Sequence, residues 1–149
     1  MQLCDQLVLV TGAGRGLGTH LARAFAAQGA ALVLNYRHSQ QAAQALATEL
    51  GPRALALPAD VTDPAQVQAM LAAAAAHYGR AVSTVVNNAL ADFSFNGDAR
   101  APAESIGWED FQAQFAGSVR GALNTTQAAL PGMRAQGFGR IINIGTNLF

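Results

Sequence analysis

The stretch Thr11-Gly12-Ala13-Gly14-Arg15-Gly16-Leu17-Gly18 follows directly on a short apolar run, Leu7–Val10. We predict that the run is a buried strand and that a helix begins at about Gly16. Glycines at such a junction permit a tight turn, let a phosphate approach the backbone and let the helix pack close to the sheet. The free N–H groups and the positive dipole end of the helix then favour an anion. The stretch therefore predicts a loop that holds the pyrophosphate of a dinucleotide.

The spacing of these glycines separates the loop from other phosphate-binding motifs. A P-loop needs Gly-Lys, whereas all nine basic residues of this chain are arginines. The pattern G-x-G-x-x-G fails because its last position is Leu17. What remains is T-G-x-x-x-G-x-G, with a glycine-rich turn that binds nothing as the alternative.

Strand and helix patterns alternate along the rest of the chain. Apolar runs predict further strands at 31–34, 54–57, 83–87 and 140–144. Helices are predicted at 40–50, from the N-cap pair Asp63-Pro64, and in one long helix from about Trp108, while 90–107 resembles a loop. The faces predicted from spacing are, for the first helix, Leu17, Leu21, Ala24 and Phe25, and for the long helix, Phe111, Phe115, Val119, Ala122, Thr126 and Leu130. This alternation predicts an α/β fold in a single domain, 1–149, with a parallel sheet covered on both faces.

Composition limits the possible functions. Nine acidic and nine basic residues give a net charge of zero, which offers no basic surface for nucleic acid or membrane. The single cysteine, Cys4, excludes an internal disulfide. We see neither a signal peptide nor an apolar stretch of the roughly 18 residues that a membrane span needs. We expect a cytoplasmic protein with no metal site.

Three further marks follow the glycine motif in order. Asp60-Val61 comes after the third strand, Asn87-Asn88-Ala89 ends the fourth, and Gly139-Arg140-Ile141-Ile142-Asn143-Ile144 contains the fifth. With the loop, they make the whole chain resemble the classical short-chain dehydrogenase/reductase family, most of all its bacterial 3-oxoacyl-(acyl-carrier-protein) reductases. The resemblance implies a Rossmann-type, doubly wound sheet of five strands in the order 3-2-1-4-5, without the C-terminal part of the family fold.

The resemblance also implies a nicotinamide cofactor and the residues that hold it. Asp60 and Val61 would contact the adenine, although Asp60 could instead simply cap a turn. Asn87 could likewise satisfy backbone groups at a strand end. The residues expected to bind the cofactor are Thr11, Gly12, Gly14, Arg15, Gly16, Leu17, Gly18, Asn35, Arg37, Ser39, Asp60, Val61, Asn87, Asn88 and Ala89.

The segment after the second strand indicates which nicotinamide cofactor is preferred. An acidic residue there would bind the ribose 2′-hydroxyl and repel a 2′-phosphate, but Asn35-Tyr36-Arg37-His38-Ser39 contains none. Arg37 can pair with a phosphate and Ser39 can donate to it, and Arg15 approaches the same place in similar family members. We therefore expect NADP(H), unless Arg37 is only a solvated surface charge.

The catalytic positions of the family match less well. The serine that polarises the carbonyl falls on Thr146, and the asparagine that holds a relay water falls on Ser118. Leu90 replaces a glycine and is expected to crowd the nicotinamide side. The family's Tyr-x-x-x-Lys pair is absent, since the only tyrosines are Tyr36 and Tyr78 and there is no lysine. We expect a chain truncated before that pair and inactive alone.

Two classes of function follow from these marks. The first is an NADP(H)-dependent reductase of a small carbonyl or acyl substrate, seen here as its cofactor-binding portion. The alternative is a non-catalytic NADP(H)-binding sensor or regulatory subunit, or an inactive fragment. Phe93, Phe95 and Trp108 either border a substrate cleft or serve only to pack the fold. An open edge at the fifth strand and exposed side chains on the long helix predict a homo-oligomer.

Overall fold

The computed structural model describes residues 1–90 and 104–145. Five parallel strands form one sheet in the order β3-β2-β1-β4-β5. The strands are β1 (Leu7–Val10), β2 (Ala31–Tyr36), β3 (Ala54–Pro58), β4 (Thr84–Asn87) and β5 (Arg140–Asn143). The predicted strand order is confirmed, and each predicted strand is present with its ends shifted by up to two residues.

Helices cover both faces of this sheet. They are α1 (Gly16–Ala27), α2 (Gln40–Leu50), α3 (Pro64–Tyr78), α4 (Trp108–Phe115) and α5 (Gly121–Ala135). The Asp63 carboxylate caps α3 by accepting from the N–H groups of Ala65 and Gln66, and Pro64 occupies the first turn, as predicted.

Two apolar layers hold the sheet between the helices. On one side, Val8, Val10, Leu32 and Leu34 pack against Ala22 of α1 and Leu46 of α2 in one cluster of buried residues. On the other, Leu7, Leu9, Val33 and Val85 share a cluster with Met70 of α3 and with Ala129 and Met133 of α5. Because consecutive residues of a strand point to opposite faces, β1 and the first four residues of β2 have to be apolar on both faces.

Two predicted helix faces need correction. In α1, Leu21 and Phe25 of the predicted face are partly buried against the core, whereas Leu17 and Ala24 are exposed and the fully buried residues are Gly18 and Ala22. The long helix from Trp108 is interrupted by a π-helical turn, Ala116–Arg120, between α4 and α5. The buried residues of α5 are Gly121, Asn124, Thr125, Ala129 and Met133, because α5 packs closely on α3 and β4, whereas Phe111, Phe115, Val119 and Leu123 are exposed.

Within residues 1–90 and 104–145, no helix is long and apolar enough to cross a bilayer.

Candidate functional site

The site lies at the carboxyl ends of β1 and β4, where the strand order reverses, and Thr11 is its centre. The Thr11 hydroxyl oxygen accepts from the backbone N–H groups of Asn88 and Ala89, both at 2.9 Å, and donates to the Val86 carbonyl at 3.3 Å. Thr11 is 1% exposed. One buried hydroxyl thus ties the start of the glycine loop to the end of β4.

Two asparagines complete the support of the loop. The Asn88 amide donates to the Thr11 carbonyl at 3.0 Å and to the Gly12 carbonyl at 3.4 Å. The Asn35 amide oxygen accepts from the Gly12 N–H at 3.4 Å, and its nitrogen donates to the Ala59 carbonyl at 3.0 Å. Asn35 is buried, so its side chain holds the loop to β2 and to the end of β3.

Three glycines shape the inside of the loop. Gly12 and Gly16 have φ values of 64° and 55°, a region that other residues rarely adopt. A Cβ on Gly18 would lie 2.4 Å from the Gly12 carbonyl oxygen, whereas a Cβ on Gly16 would project into open space. The loop is therefore packed tightly from below and open at Gly16, beside the N-terminus of α1. This shape fits a pyrophosphate, which needs bare backbone and free N–H groups.

Gly14 brings the loop against the segment that follows β2. A Cβ on Gly14 would lie 2.2 Å from the Ser39 hydroxyl oxygen, so only glycine allows this approach. Arg15 is the next residue, and Arg37 lies two residues before Ser39. The contact therefore brings the two predicted phosphate-binding segments together.

The side chain of Arg37 contacts Asp60 and the adjacent His38. Its Nη1 lies 3.4 Å from Oδ2 of Asp60, and its Nε donates to Nε2 of His38 at 2.7 Å. The segment after β2 contains no carboxylate of its own, but Ala59 continues the pairing of β3 with β2 and brings Asp60 alongside.

Asp60 is held firmly in this position. Its Oδ1 accepts from the backbone N–H and the hydroxyl of Thr62, at 2.9 and 2.7 Å. Partial burial alone would raise the pKa of this carboxyl, but the Thr62 hydrogen bonds and the charge of Arg37 outweigh it, and the pKa of Asp60 is lowered. The carboxylate is therefore ionised at neutral pH.

A cavity of about 250 Å³ opens between the glycine loop and the π-helical turn. It brings together Thr11, Val61, Asn87 and Ala89 of the predicted cofactor residues with Ser118, the predicted water-holding residue. Leu90 also lines it, as expected from its place after Ala89. Thr146 lies outside the described residues, as do Phe93 and Phe95.

Three polar residues of this region escaped the sequence analysis. Thr125 donates to the Asn87 amide oxygen at 2.6 Å, and the Asn87 nitrogen donates to Asn143 at 2.9 Å. Asn124 donates to the Val61 carbonyl at 2.9 Å. A possible signal is that Asn124 and Thr125 are adjacent polar residues on a helix that has to pack on a sheet.

The two tyrosines lie away from the cavity. Tyr36 is buried within β2 at 6% exposure. The Tyr78 hydroxyl lies within hydrogen-bond distance of the carbonyl oxygens of Leu32 and Arg53, at 2.9 and 3.0 Å. Burial raises the pKa of Tyr78 despite the opposing charges of Arg53 and Arg80. This shift is opposite to the one that a tyrosine acid needs near neutral pH.

A parallel sheet with a glycine loop at its switch point defines the class of dinucleotide-binding α/β folds. The family model for short chain dehydrogenases matches residues 6–148. The chain belongs to the short-chain dehydrogenase family.

Individual relatives agree with this assignment. The chain is 34% identical over 140 residues to an NADP-dependent 3-hydroxy acid dehydrogenase of Salmonella typhi, covering 94% of this chain and 54% of the relative. A gluconate 5-dehydrogenase from Burkholderia cenocepacia, in complex with NADP and tartrate, superposes with a TM-score of 0.81 at 35% identity, covering 97% of this chain and 56% of that one.

A 3-ketoacyl-(acyl-carrier-protein) reductase from Brucella melitensis, complexed with NADH, gives a TM-score of 0.79 at 33% identity, covering 91% of this chain and 53% of that one. The chain thus spans about half the length of the relatives it matches.

Proposed function

We propose that the chain is the cofactor-binding portion of an NADP(H)-dependent oxidoreductase that reduces a small carbonyl or acyl substrate. The observation that carries this proposal is the glycine loop, which Thr11, Asn35 and Asn88 support from below and which is open at Gly16. A loop that merely turned the chain would not need this combination of tight support and an open face.

The loop and the cavity are expected to bind different parts of the cofactor. Residues of the loop would hold the pyrophosphate through backbone N–H groups, and Asp60 and Val61 would border the adenine. Asn87, Asn88 and Ala89 lead from the loop toward the cavity. The nicotinamide, when bound, supplies or accepts the hydride, and the protein has to orient it and manage a proton.

The preference for NADP(H) rests on the adjoining segments at Arg15 and at Arg37 to Ser39. A guanidinium matches the geometry and the charge of a phosphate. One relative is described as NADP-dependent and one similar structure as an NADP complex, although another is an NADH complex. The charge of Asp60 beside Arg37 opposes this preference, but Arg15 and Arg37 together outnumber it.

Cofactor selection is tested by titrating the purified protein with NADPH and with NADH and following nucleotide fluorescence. We expect NADPH to bind at least about tenfold more tightly, since a charge-assisted phosphate contact contributes roughly 1.5 to 3 kcal/mol. Equal affinities would contradict NADP(H) selection, and no binding of either nucleotide would contradict the proposal as a whole.

Catalysis is the less supported half of the proposal. Ser118 borders the cavity and Thr146 lies three residues beyond Asn143, which borders it too. The chain contains no lysine, and both tyrosines are engaged elsewhere. We therefore expect the 149-residue polypeptide to show no NADPH-dependent reduction of carbonyl compounds, and measurable turnover by pure material would refute this.

The same observation favours a second candidate function. A protein with the cofactor loop but without the proton-donating pair could bind NADP(H) as a sensor or regulatory subunit. Nucleotide binding that changes the mass of a complex, with no turnover, would support this candidate over the reductase.

We further propose that the protein forms a homo-oligomer. Exposed apolar side chains follow one another at spacings of three and four along α4, the π-helical turn and α5: Trp108, Phe111, Phe115, Val119 and Leu123. Side chains of this size rarely stay exposed in a row unless another surface covers them. Cytoplasmic location, and the lack of nucleic-acid or membrane partners, remain predictions.

A further inference from the structure

The surroundings of Arg37 contain more than the proposed phosphate contact requires. Arg37 and Asp60 are similarly accessible, with side chains 31% and 28% exposed. His38 contacts Nε of the guanidinium, whereas Asp60 contacts Nη1. The two neighbours also differ chemically, since Asp60 is an anion and His38 is a hydrogen-bond acceptor.

His38 contributes geometry. Its Nε2 accepts a hydrogen bond from the Arg37 Nε at 2.7 Å. A bond to Nε fixes one edge of the planar guanidinium. The pair of Nη groups on the opposite edge, of which Nη1 contacts Asp60, is the face whose geometry matches a phosphate.

Asp60 contributes charge more than geometry. Its contact with Arg37 is long, at 3.4 Å, while its other oxygen is held by two shorter bonds from Thr62. The two hydrogen bonds from Thr62 hold the carboxylate beside Arg37. A 2′-phosphate that contacts Arg37 would thus meet a fixed negative charge nearby, whereas a neutral 2′-hydroxyl would not.

We propose that His38 and Asp60 act on cofactor selection through Arg37 in opposite directions. His38 orients Arg37 for a 2′-phosphate, whereas Asp60 weakens the preference for NADP(H) over NAD(H). This inference rests on the proposed function. Both side chains are then positioning residues. Asp60 repels the 2′-phosphate, a role for which the segment after β2 has no carboxylate of its own.

The test isolates the 2′-phosphate from the rest of the cofactor. Calorimetric titration of the full protein with 5′-AMP and with adenosine 2′,5′-bisphosphate gives a ratio of dissociation constants that reports only the extra phosphate. The ratio for NADH against NADPH reports the same quantity in the whole cofactor. Any direct contact of Asp60 with the adenine affects both members of each pair and cancels.

Opposite shifts of these ratios are expected from two variants. Asp60→Asn keeps an acceptor for Thr62 but removes the charge, and should raise the preference for the 2′-phosphate about three- to tenfold. This gain should shrink in 1 M salt, where screening is strong. His38→Ala should lower the preference about threefold, and His38→Gln, which can place an acceptor near Nε2, should restore it.

Asp63→Asn is the matched control for the charge change. Asp63 lies three residues beyond Asp60, its hydrogen bonds go to Ala65 and Gln66, and asparagine caps helices as well as aspartate does. Its ratios should stay within twofold of wild type. An equal gain in Asp63→Asn would overturn the specific role of Asp60.

The possible results distinguish a failure of the proposed function from a failure of this inference alone. If wild-type protein binds neither NADPH nor NADH, the proposed function fails and this inference falls with it. If wild type binds NADPH but Asp60→Asn leaves the ratios unchanged or lowers them, the inference alone is wrong. If His38→Ala leaves the ratios unchanged, the orienting role of His38 is wrong.

Discussion

The two ends of the sheet differ in how completely they are covered. All residues of β1 and β2 are buried, and the polar groups of the loop beyond them are bound to one another. At the other end, β5 has three exposed residues among its four, and Ile142 and the following Ile144 are 38% and 39% exposed. The cofactor loop is therefore supported by this chain's own residues, whereas the surface around β5, α4 and α5 exposes large apolar side chains.

Hydrogen bonding follows the same division. Among the residues that the structure describes, every buried side-chain nitrogen or oxygen has a partner. Several of these bonds converge on the loop, where Thr11 alone makes three. Changes at the loop should thus cost folding stability, while changes on the outer face of α4 should alter association and leave folding intact.

The largest effect is expected from Thr11→Val. Valine keeps the volume but leaves the backbone N–H groups of Asn88 and Ala89 without an acceptor, so the free energy of unfolding should fall by about 2 to 4 kcal/mol. Urea titration followed by circular dichroism measures this. Thr48→Val, at an exposed hydroxyl on α2 that contacts only the Gln44 carbonyl, is the control and should change little. An equal loss of unfolding free energy in both variants would show that the Thr11 hydroxyl contributes no more to stability than an exposed hydroxyl.

Phe115→Ser should act on association instead. Phe115 is 67% exposed, so its removal should leave the unfolding free energy nearly unchanged. The dissociation constant for self-association should rise at least about tenfold, as for a central apolar residue of an interface. Sedimentation velocity over a concentration series measures it. Leu17→Ser, at 52% exposure on the loop side, should not change the dissociation constant. A monomeric wild type would refute the proposed oligomer.

The smallest effect is expected for the pH dependence of Asp60→Asn. A carboxyl whose folded pKa lies below its ordinary value of 3.8 stabilises the fold above that value. The variant should therefore be slightly less stable than wild type at pH 7. The gap should close as the pH falls below 3.8 through the folded pKa. Unfolding curves between pH 7 and pH 2.5 measure this, and a gap that widens on acidification would contradict the lowered pKa.

The helix from Trp108 shows where sequence patterns mislead. Apolar residues at spacings of three and four ordinarily mark a buried face, but here Phe111, Phe115 and Val119 point outward. The buried side of α5 includes Gly121, where a Cβ would lie 2.7 Å from Val61 Cγ2. Periodicity located the helix, but neither the π-helical turn nor the neighbour that each face meets follows from spacing.

The sequence by itself determined the parallel sheet, the position of the glycine loop and the family. These follow from local patterns, because the period of apolar residues and the glycine spacing act within a few residues of the chain. The tertiary structure alone decided the partners of the loop and of Arg37. Thr11 meets Asn88 and Ala89 across 77 and 78 residues, and Asp60 meets Arg37 across 23. Such pairs form only when β1, β2, β3 and β4 lie side by side, and no local pattern encodes which side chains then face each other.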